Sequence, residues 1–110
     1  IFSLNYVGHL PTMQVQGPDE FKELVGAYRN AYPDVHLDVK DVFGDGDRVA
    51  VRWVSCGTHL GALMGIAPSG NQIEIMGISI FLIKNGKVAE EWEIFDTLKM
   101  MQQIGAIQRP

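Results

Sequence analysis

Apolar residues between positions 17 and 33 recur at helical spacing. The side chains that share one face of the predicted helix are Phe21, Leu24, Val25, Tyr28, Ala31 and Tyr32. Pro18 suits the first helical position, the acidic residues after it favour the positive end of the helix dipole, and Pro33 ends the helix. The pattern therefore predicts one amphipathic helix whose apolar face covers another part of the chain.

Four later stretches have the alternation and the β-branched side chains that are typical of strands. They comprise residues 35–43, 48–58, 72–83 and 87–96. Residues 44–47 form a turn between the first two, and residues 84–87 form a tight Asn-Gly turn between the last two. Residues 57–70 are rich in glycine, so we expect a loop that is long enough to shape the edge of a pocket.

The order of these elements predicts an α+β fold in a single domain over residues 1–110. A helix precedes a meander of four antiparallel strands, and a short second helix begins after Asp96 and ends at Gly105. Residues 1–12 look like the end of an ordered segment. One face of the sheet must be covered, and a single long helix is little cover for it. We therefore expect something else to lie on the sheet.

The last predicted strand combines carboxylates with a tryptophan. One face carries Val88, Glu90, Trp92, Ile94 and Asp96, and the other carries Ala89, Glu91, Glu93 and Phe95. A carboxylate that shares a face with a tryptophan at the end of a strand can act as a tuned acid or base. Asp96 is therefore the candidate acid/base, and its alternative role is the N-cap of the second helix.

Composition and charge exclude several classes of function. Apolar residues make up 46% of the chain and charged residues 20%, which is typical of a globular protein. The net charge of -4 and the scattered basic residues predict no nucleic-acid partner. The single Cys56 excludes an internal disulfide and fits a reducing, cytoplasmic compartment. We expect neither a membrane span nor a signal peptide, and no spacing of His, Cys, Asp and Glu suits a metal site.

Several short stretches occur in an order that is typical of one known family. They are residues 5–9 (NYVGH), 17–22 (GPDEFK), 27–34 (AYRNAYPD), 46–53 (GDRVAVRW), 57–59 (GTH), 65–70 (GIAPSG), 85–92 (NGKVAEEW) and, after Asp96, 102–105 (QQIG). In these stretches the chain resembles the SnoaL-like polyketide cyclases of the nuclear-transport-factor-2-like and ketosteroid-isomerase-like superfamily.

The resemblance implies the cystatin-like fold of that superfamily, a cone-shaped, curved and mostly antiparallel sheet covered by helices. Family members begin with further helices that close the wide end of the cone, and the chain lacks these N-terminal helices. We therefore expect either a truncated member or a cover that a neighbouring chain supplies.

The resemblance also implies an enzyme that needs no metal or cofactor. Characterised members close a polyketide ring by an aldol condensation in which an aspartate is the general acid/base. By position that aspartate is Asp96, which desolvation by Trp92 and Ile94 would tune for proton exchange. In the family a histidine on the preceding strand assists this aspartate. Its position corresponds to about Leu82 here, where the chain has apolar residues instead. We expect an aldol-type cyclase, or a related proton-transfer lyase or isomerase, that acts on a small apolar carbonyl compound.

Further side chains are expected to surround this substrate. Those that would shape the cavity are Trp92, Trp53, Tyr28, Ile78 and Leu82. His59 or Ser79 would polarise the substrate oxygen, and Glu90 would be a second acid nearer the rim of the cavity. His9 lies next to a glycine, where its side chain could bind the substrate. For both His9 and His59 the alternative is a histidine that bonds the backbone near a turn.

Two other functions remain open. The apolar face of residues 76–82 could belong to a non-catalytic module that binds a hydrophobic ligand or a second subunit. An epoxide hydrolase of the same fold would need a polar cluster that holds water, and the sequence indicates none. Because a bare sheet face would expose a large apolar patch, we expect a homodimer.

Overall fold

Six strands form one mixed sheet, and two helices pack against it. The computed structural model of the protein describes residues 1–106. In chain order the elements are β1 (Phe2–His9), β2 (Gln14–Gln16), α1 (Gly17–Ala31), β3 (His36–Asp45), β4 (Arg48–Thr58), β5 (Gln72–Lys84), β6 (Lys87–Phe95) and α2 (Thr97–Gln103). The strands lie in the order β2-β1-β6-β5-β4-β3. β1 runs parallel to β6, and all other neighbouring strands are antiparallel.

The predicted α+β class, the long first helix and the meander of four strands are confirmed. α1 has Pro18 in its first turn, and the backbone N–H of its N-cap residue Gln16 donates to Glu20 Oε1 at 3.0 Å. The helix ends at Ala31, two residues before Pro33. Pro18, the acidic residues after it and Pro33, which predicted this helix, therefore lie at its two ends in the structure.

The strands β1 and β2 were not predicted from the sequence. Apolar residues stand at positions 1, 2, 4, 6 and 7, a pattern that fits neither a regular strand nor a helix. The structure supplies the reason, because the pairing of β1 with β6 shifts register between Phe2 and Val7. Such an irregularity breaks the alternation that identifies a strand in a sequence.

The two faces of the sheet have different environments. The inner face is covered by α1 and includes Trp53 on β4, Ser79 on β5 and Glu93 on β6. The outer face is uncovered in the described part of the chain and includes Met76, Ile78 and Ile80 on β5 and Trp92 and Ile94 on β6. Side chains on β5 alternate strictly between these faces, since Ile75 and Ser79 are buried while Met76 and Ile78 are exposed.

A cluster of buried side chains fixes the helices on the inner face. Its members are Ala31, Tyr32, Leu63, Ile73, Ile75, Met100 and Ile104, which come from both helices, the β4–β5 loop and β5. Beside this cluster, Gly77 on β5 lets the Trp53 indole lie flat on the sheet, because a Cβ at position 77 would overlap the ring. The described helices include none that is long and apolar enough to cross a membrane.

Candidate active site

A cavity of about 650 Å³ lies between α1 and the inner face of the sheet. Most of its wall is apolar, and the contributing side chains include Leu24, Val25, Tyr28, Val51, Trp53, Ile75, Phe81 and Phe95. A volume of this size is typical of sites that bind small organic molecules. The polar groups that reach the cavity are few, so each of them can orient a ligand.

Two carboxyl groups from β6 enter this apolar cavity. Glu91 is buried and accepts a hydrogen bond from the Tyr6 hydroxyl at 2.8 Å. Glu93 is half-buried, and its Oε1 accepts from the Ser79 hydroxyl at 3.3 Å. Ser79 Oγ in turn accepts from the Trp53 indole N–H at 3.0 Å. The neighbouring strands therefore hold both carboxyl groups in fixed positions.

The acidity of Glu93 is shifted towards neutrality. Burial, first of all, raises the pKa of Glu93 to about 7, and the negative charge of Glu91 and the hydrogen bonding between the two carboxyl groups add to the rise. The hydrogen bond from Ser79 acts in the opposite direction, because it stabilises the carboxylate. A carboxyl group with a pKa near 7 can both accept and return a proton at physiological pH.

Three tyrosines on or beside the cavity wall keep their phenol protons at neutral pH. Burial is the main cause that raises the pKa of Tyr6, and the charge of Glu91 adds to it. Burial likewise raises the pKa of Tyr28, with a smaller contribution from Glu93. Burial and the neighbouring Tyr28 raise the pKa of Tyr32 to about 12. These phenols are therefore hydrogen-bond donors on or beside the cavity wall.

The prediction that Asp96 lies in a water-poor cavity is wrong. Asp96 is exposed, is not part of the cavity wall, and accepts a hydrogen bond from the Lys99 backbone N–H at 2.9 Å. It thus caps α2, which was its alternative role. The cause is the orientation of β6, whose other face, with Glu91, Glu93 and Phe95, points into the cavity.

Five of the residues predicted to bind substrate lie on the outer face instead. They are Trp92, Ile78, Leu82, Glu90 and His9. There the His9 ring stacks on Trp92 with centroids 5.6 Å apart, and His9 Nε2 lies 2.6 Å from Glu90 Oε2. The Arg48 guanidinium covers the same indole at 5.2 Å from its centroid. The thickness of the sheet separates this group from the cavity.

The remaining predicted residues lie at or near the cavity. Trp53, Tyr28 and Ser79 line it, as expected from their positions. His59 is fully buried behind the wall, where its ring packs against Tyr32 and its Nδ1 lies 2.9 Å from Ser69 Oγ. The Ser69 backbone N–H also donates to His59 Nδ1 at 3.2 Å, and this bond to the backbone of a loop matches the structural alternative for His59.

The sequence reasoning missed Tyr6, Glu91 and Glu93 as site residues. The alternation of β6 already put both glutamates on one face with Phe95. The site was expected on the opposite face, with Trp92 and Asp96, but Tyr6 and Ser79 supply hydrogen bonds that make burial of the two glutamates tolerable. Tyr6 stands 85 positions from Glu91, so no local signal connects them. Among residues 1–106 no group of three or more His, Cys, Asp and Glu side chains is arranged to hold a metal ion.

Comparisons with known proteins agree with this architecture. The sequence model of SnoaL-like polyketide cyclases matches residues 1–104. No curated protein sequence matches the chain. Among solved structures, AclR from Streptomyces galilaeus, proposed to be a hydroxylase, is 26% identical with a TM-score of 0.86 over 99% of this chain and 69% of AclR. TsrD from Streptomyces laurentii is also 26% identical, with a TM-score of 0.87 over 96% of this chain and 78% of TsrD.

A third structure confirms the fold at lower identity. It is a protein from Jannaschia sp. CCS1, proposed to be a SnoaL-like polyketide cyclase, with 22% identity and a TM-score of 0.89 over 96% of this chain and 74% of that one. The match of the family model spans almost the whole described chain, and the six-stranded sheet with its helix-covered cavity agrees with it. The chain therefore belongs to the SnoaL-like polyketide cyclase family.

Proposed function

We propose that the protein is a cofactor-free, cyclase-type enzyme that transfers protons on a small apolar carbonyl compound, with Glu93 as its general acid/base. The observation that carries the proposal is the Glu93 carboxyl group, which enters an apolar cavity and has a pKa raised to about 7. Membership in the SnoaL-like polyketide cyclase family supports the reaction class.

The proposed reaction is an aldol-type ring closure within one molecule. The Glu93 carboxylate removes a proton from a carbon next to a carbonyl, and the electron pair of the broken C–H bond forms an enolate. The enolate carbon then bonds to a second carbonyl carbon of the same molecule, whose oxygen becomes an alkoxide. Protonated Glu93 returns the proton to that oxygen, so the product is an isomer of the substrate and the enzyme is restored.

The surroundings of Glu93 fit both halves of this cycle. The apolar wall favours the neutral carboxylic acid, which is the form that must return the proton. The Ser79 hydroxyl favours the carboxylate, which is the form that must remove it. The two effects together keep the forms close in free energy near neutral pH, which is the condition for efficient acid–base catalysis.

The test is proton exchange on a simple ketone, since it needs no knowledge of the natural substrate. The wild-type protein is expected to catalyse deuterium incorporation next to the carbonyl of 2-tetralone in heavy water, followed by NMR. The Glu93→Gln variant keeps the size of the side chain but loses the base, so the catalysed rate should fall by about 10²–10⁴-fold. Wild-type exchange in Glu93→Gln would remove the proposed role.

Two further variants make this test specific. Glu23→Gln makes the same chemical change at an exposed position on α1 and should leave the exchange rate unchanged. Asp96→Asn retains a side chain that can cap α2, and it should also leave exchange unchanged because Asp96 is exposed outside the cavity. A large loss in Asp96→Asn alone would favour the family aspartate over Glu93.

A second candidate is a non-catalytic module that binds a hydrophobic ligand. The mostly apolar wall of the cavity favours it, since such a wall binds apolar molecules without any chemistry. The same experiment distinguishes the two functions. Saturable binding of 2-tetralone with no exchange above the buffer rate would support the binding module.

A further inference from the structure

The hydrogen bond between Tyr6 and Glu91 is a buried feature that the proposed reaction does not use. The Tyr6 hydroxyl donates to Glu91 Oε1 at 2.8 Å, and the two residues are 0% and 5% exposed. Burial raises the pKa of the Tyr6 phenol, so the phenol keeps its proton and is the donor. A hydrogen bond to an ionised acceptor is about twice as strong as one to a neutral acceptor. The contact therefore favours the carboxylate form of Glu91.

The sheet and an aromatic cluster hold the Tyr6 hydroxyl in this position. Gly8 on β1 pairs with Glu91 on β6, and a Cβ at residue 8 would overlap the hydroxyl oxygen of Tyr6. The Tyr6 ring stacks on Phe2 with centroids 4.9 Å apart and meets Phe21 of α1 edge-on at 5.7 Å. The lack of a side chain at Gly8 thus lets the phenol lie over β1 and reach the carboxyl group on the neighbouring strand.

Glu91 and Glu93 differ in the donors that they have. They are two positions apart on the inner face of β6, both line the cavity, and their carboxyl groups are close enough to form a hydrogen bond with each other. Two carboxyl groups this close share one proton over a range of pH, because like charges repel. Glu91 accepts from the phenol at 2.8 Å, whereas Glu93 accepts from Ser79 at 3.3 Å. The shorter bond favours the negative charge on Glu91 and leaves the proton to Glu93.

The other titratable side chains on the cavity wall do not compete for this proton. They are Tyr28, Tyr32, Arg29 and His36. Burial raises the pKa of both tyrosines, so their phenols stay protonated. Arg29 and His36 are exposed, and solvent therefore screens their charges from the buried carboxyl groups. Within residues 1–106 the proton is thus divided between Glu91 and Glu93 alone.

We propose that Glu91 is a positioning residue that Tyr6 holds as a carboxylate, and that it confines the mobile proton to Glu93 by accepting a hydrogen bond from the protonated form of Glu93. This inference rests on the proposed function for the role of Glu93. When Glu93 takes a proton from the ligand, its new O–H group donates to Glu91. When Glu93 gives the proton to the alkoxide, this bond breaks and two carboxylates face each other again. The charge of Glu91 is the same throughout the cycle.

Carbon-13 NMR of the two carboxyl groups tests the proposal without a substrate. Protein labelled at the side-chain carboxyl carbon of glutamate is titrated from acidic to alkaline pH, and Glu91→Gln and Glu93→Gln assign the two signals. In the wild type the step near pH 7 should appear in the signal of Glu93 and be absent from that of Glu91. Tyr6→Phe should raise the share of the form with the proton on Glu91 by at least about tenfold, so Glu91 should then show part of this step.

Glu91→Gln tests the charge of Glu91 separately, because glutamine still accepts hydrogen bonds. The midpoint of the Glu93 titration should move down from about pH 7 towards pH 4.5, the ordinary value for a glutamate, and the pH profile of 2-tetralone exchange should move with it. Two controls should leave the titration of Glu93 unchanged. Glu23→Gln removes an exposed carboxyl group on α1, and Tyr32→Phe removes a phenol that bonds to no carboxyl group in the described part of the chain.

A purely structural role of Tyr6 and Glu91 predicts different results. In that case Tyr6→Phe would lower the unfolding temperature and leave both carboxyl signals as in the wild type, which overturns the proposal. An unchanged midpoint of Glu93 in Glu91→Gln overturns it as well, as does a wild-type step near neutral pH that lies on Glu91. If the carboxyl signals behave as expected but exchange is normal in Glu93→Gln, the proposed base is overturned while the proton is still confined to Glu93.

Discussion

At the scale of single residues, Glu93 shows how neighbours determine the chemistry of an ordinary carboxylic acid. The wall of the cavity and Glu91 favour its protonated form, while Ser79 favours the ionised form. Ser79 also accepts from the Trp53 indole, so the hydroxyl proton is directed towards Glu93. The Ser79 hydroxyl thus links the Trp53 indole in the cavity wall to Glu93, the proposed acid/base.

The raised pKa of Glu93 predicts that stability depends on pH. A carboxyl group whose pKa rises from 4.5 in the unfolded chain to about 7 in the folded protein binds its proton more tightly when folded. Its contribution to stability is therefore complete below pH 4.5 and is lost as the pH rises to about 7. Urea unfolding between these pH values should show a falling free energy of unfolding in the wild type and a flatter dependence in Glu93→Gln.

The matched control for this measurement is Glu23→Gln. Glu23 is exposed on α1, so its substitution should leave the pH dependence of the wild type unchanged. The sign of the shift would be contradicted if the free energy of unfolding rose between pH 4.5 and 7 in the wild type and this rise disappeared in Glu93→Gln.

At the scale of elements, sequence patterns were sufficient for every element whose signals are local. Proline and acidic residues marked α1, the Asn-Gly turn marked the β5–β6 hairpin, and Asp96 marked the start of α2. β1 and β2 escaped because β1 pairs irregularly with β6, a strand from the other end of the chain. Pairing over such a separation has no counterpart in a short window of sequence.

The orientation of β5 and β6 was the other feature that sequence patterns did not determine. On β6, an indole and an isoleucine compete with two glutamates for the inner face, and hydrophobicity alone favours Trp92 and Ile94. The glutamates occupy the inner face because Tyr6 and Ser79 satisfy their oxygens, while His9 and Arg48 cover the Trp92 ring outside. The hydrogen bonds that allow Glu91 and Glu93 to line the cavity come from distant parts of the chain, so the pattern along β6 could not reveal them.

The contact between β4 and β5 at Gly77 predicts a sensitive position. A Cβ at residue 77 would overlap the Trp53 ring, so Gly77→Ala must displace the indole and weaken its hydrogen bond to Ser79. We expect a loss of about 1–3 kcal/mol in the free energy of unfolding. Denaturant unfolding measures this loss, and the emission of Trp53 should shift as the indole moves.

Gly26 provides the control for this prediction. It lies in α1 with open space where a Cβ would be, so Gly26→Ala should stabilise the protein by up to about 1 kcal/mol through helix propensity. Equal effects of the two substitutions would show that the close packing of Trp53 on Gly77 contributes nothing to stability.

At the scale of the whole molecule, the outer face carries exposed apolar side chains that the proposed site does not use. Met76, Ile78 and Ile94 are 53%, 48% and 74% exposed and lie side by side at its centre. Polar pairs flank them, with Arg52 and Asp41 on one side and His9 and Glu90 on the other. An apolar centre with a polar rim is typical of protein–protein interfaces. We propose that a second copy of the chain covers this face.

If two copies pair through this face, the mass in solution should be twice the 12.2 kDa of the single chain. Ile78→Lys places a charge at the centre of the outer face and should yield monomers in sedimentation velocity experiments. Leu60→Lys makes a comparable change at a side chain that is 56% exposed in the β4–β5 loop, and it should leave the dimer intact. A wild-type protein that stays monomeric at high concentration contradicts the proposal.

The hydrogen bond between Tyr6 and Glu91 joins positions that are 85 residues apart, through the parallel pairing of β1 with β6. Contacts of such long range form slowly because a large loop must close first. A chain that has formed only the hairpins of β3 to β6 would therefore leave the Glu91 carboxyl group without its hydrogen bond from Tyr6. Glu91 gains this partner only when β1 pairs with β6, so the arrangement of carboxyl groups in the cavity is complete only in the fully paired sheet.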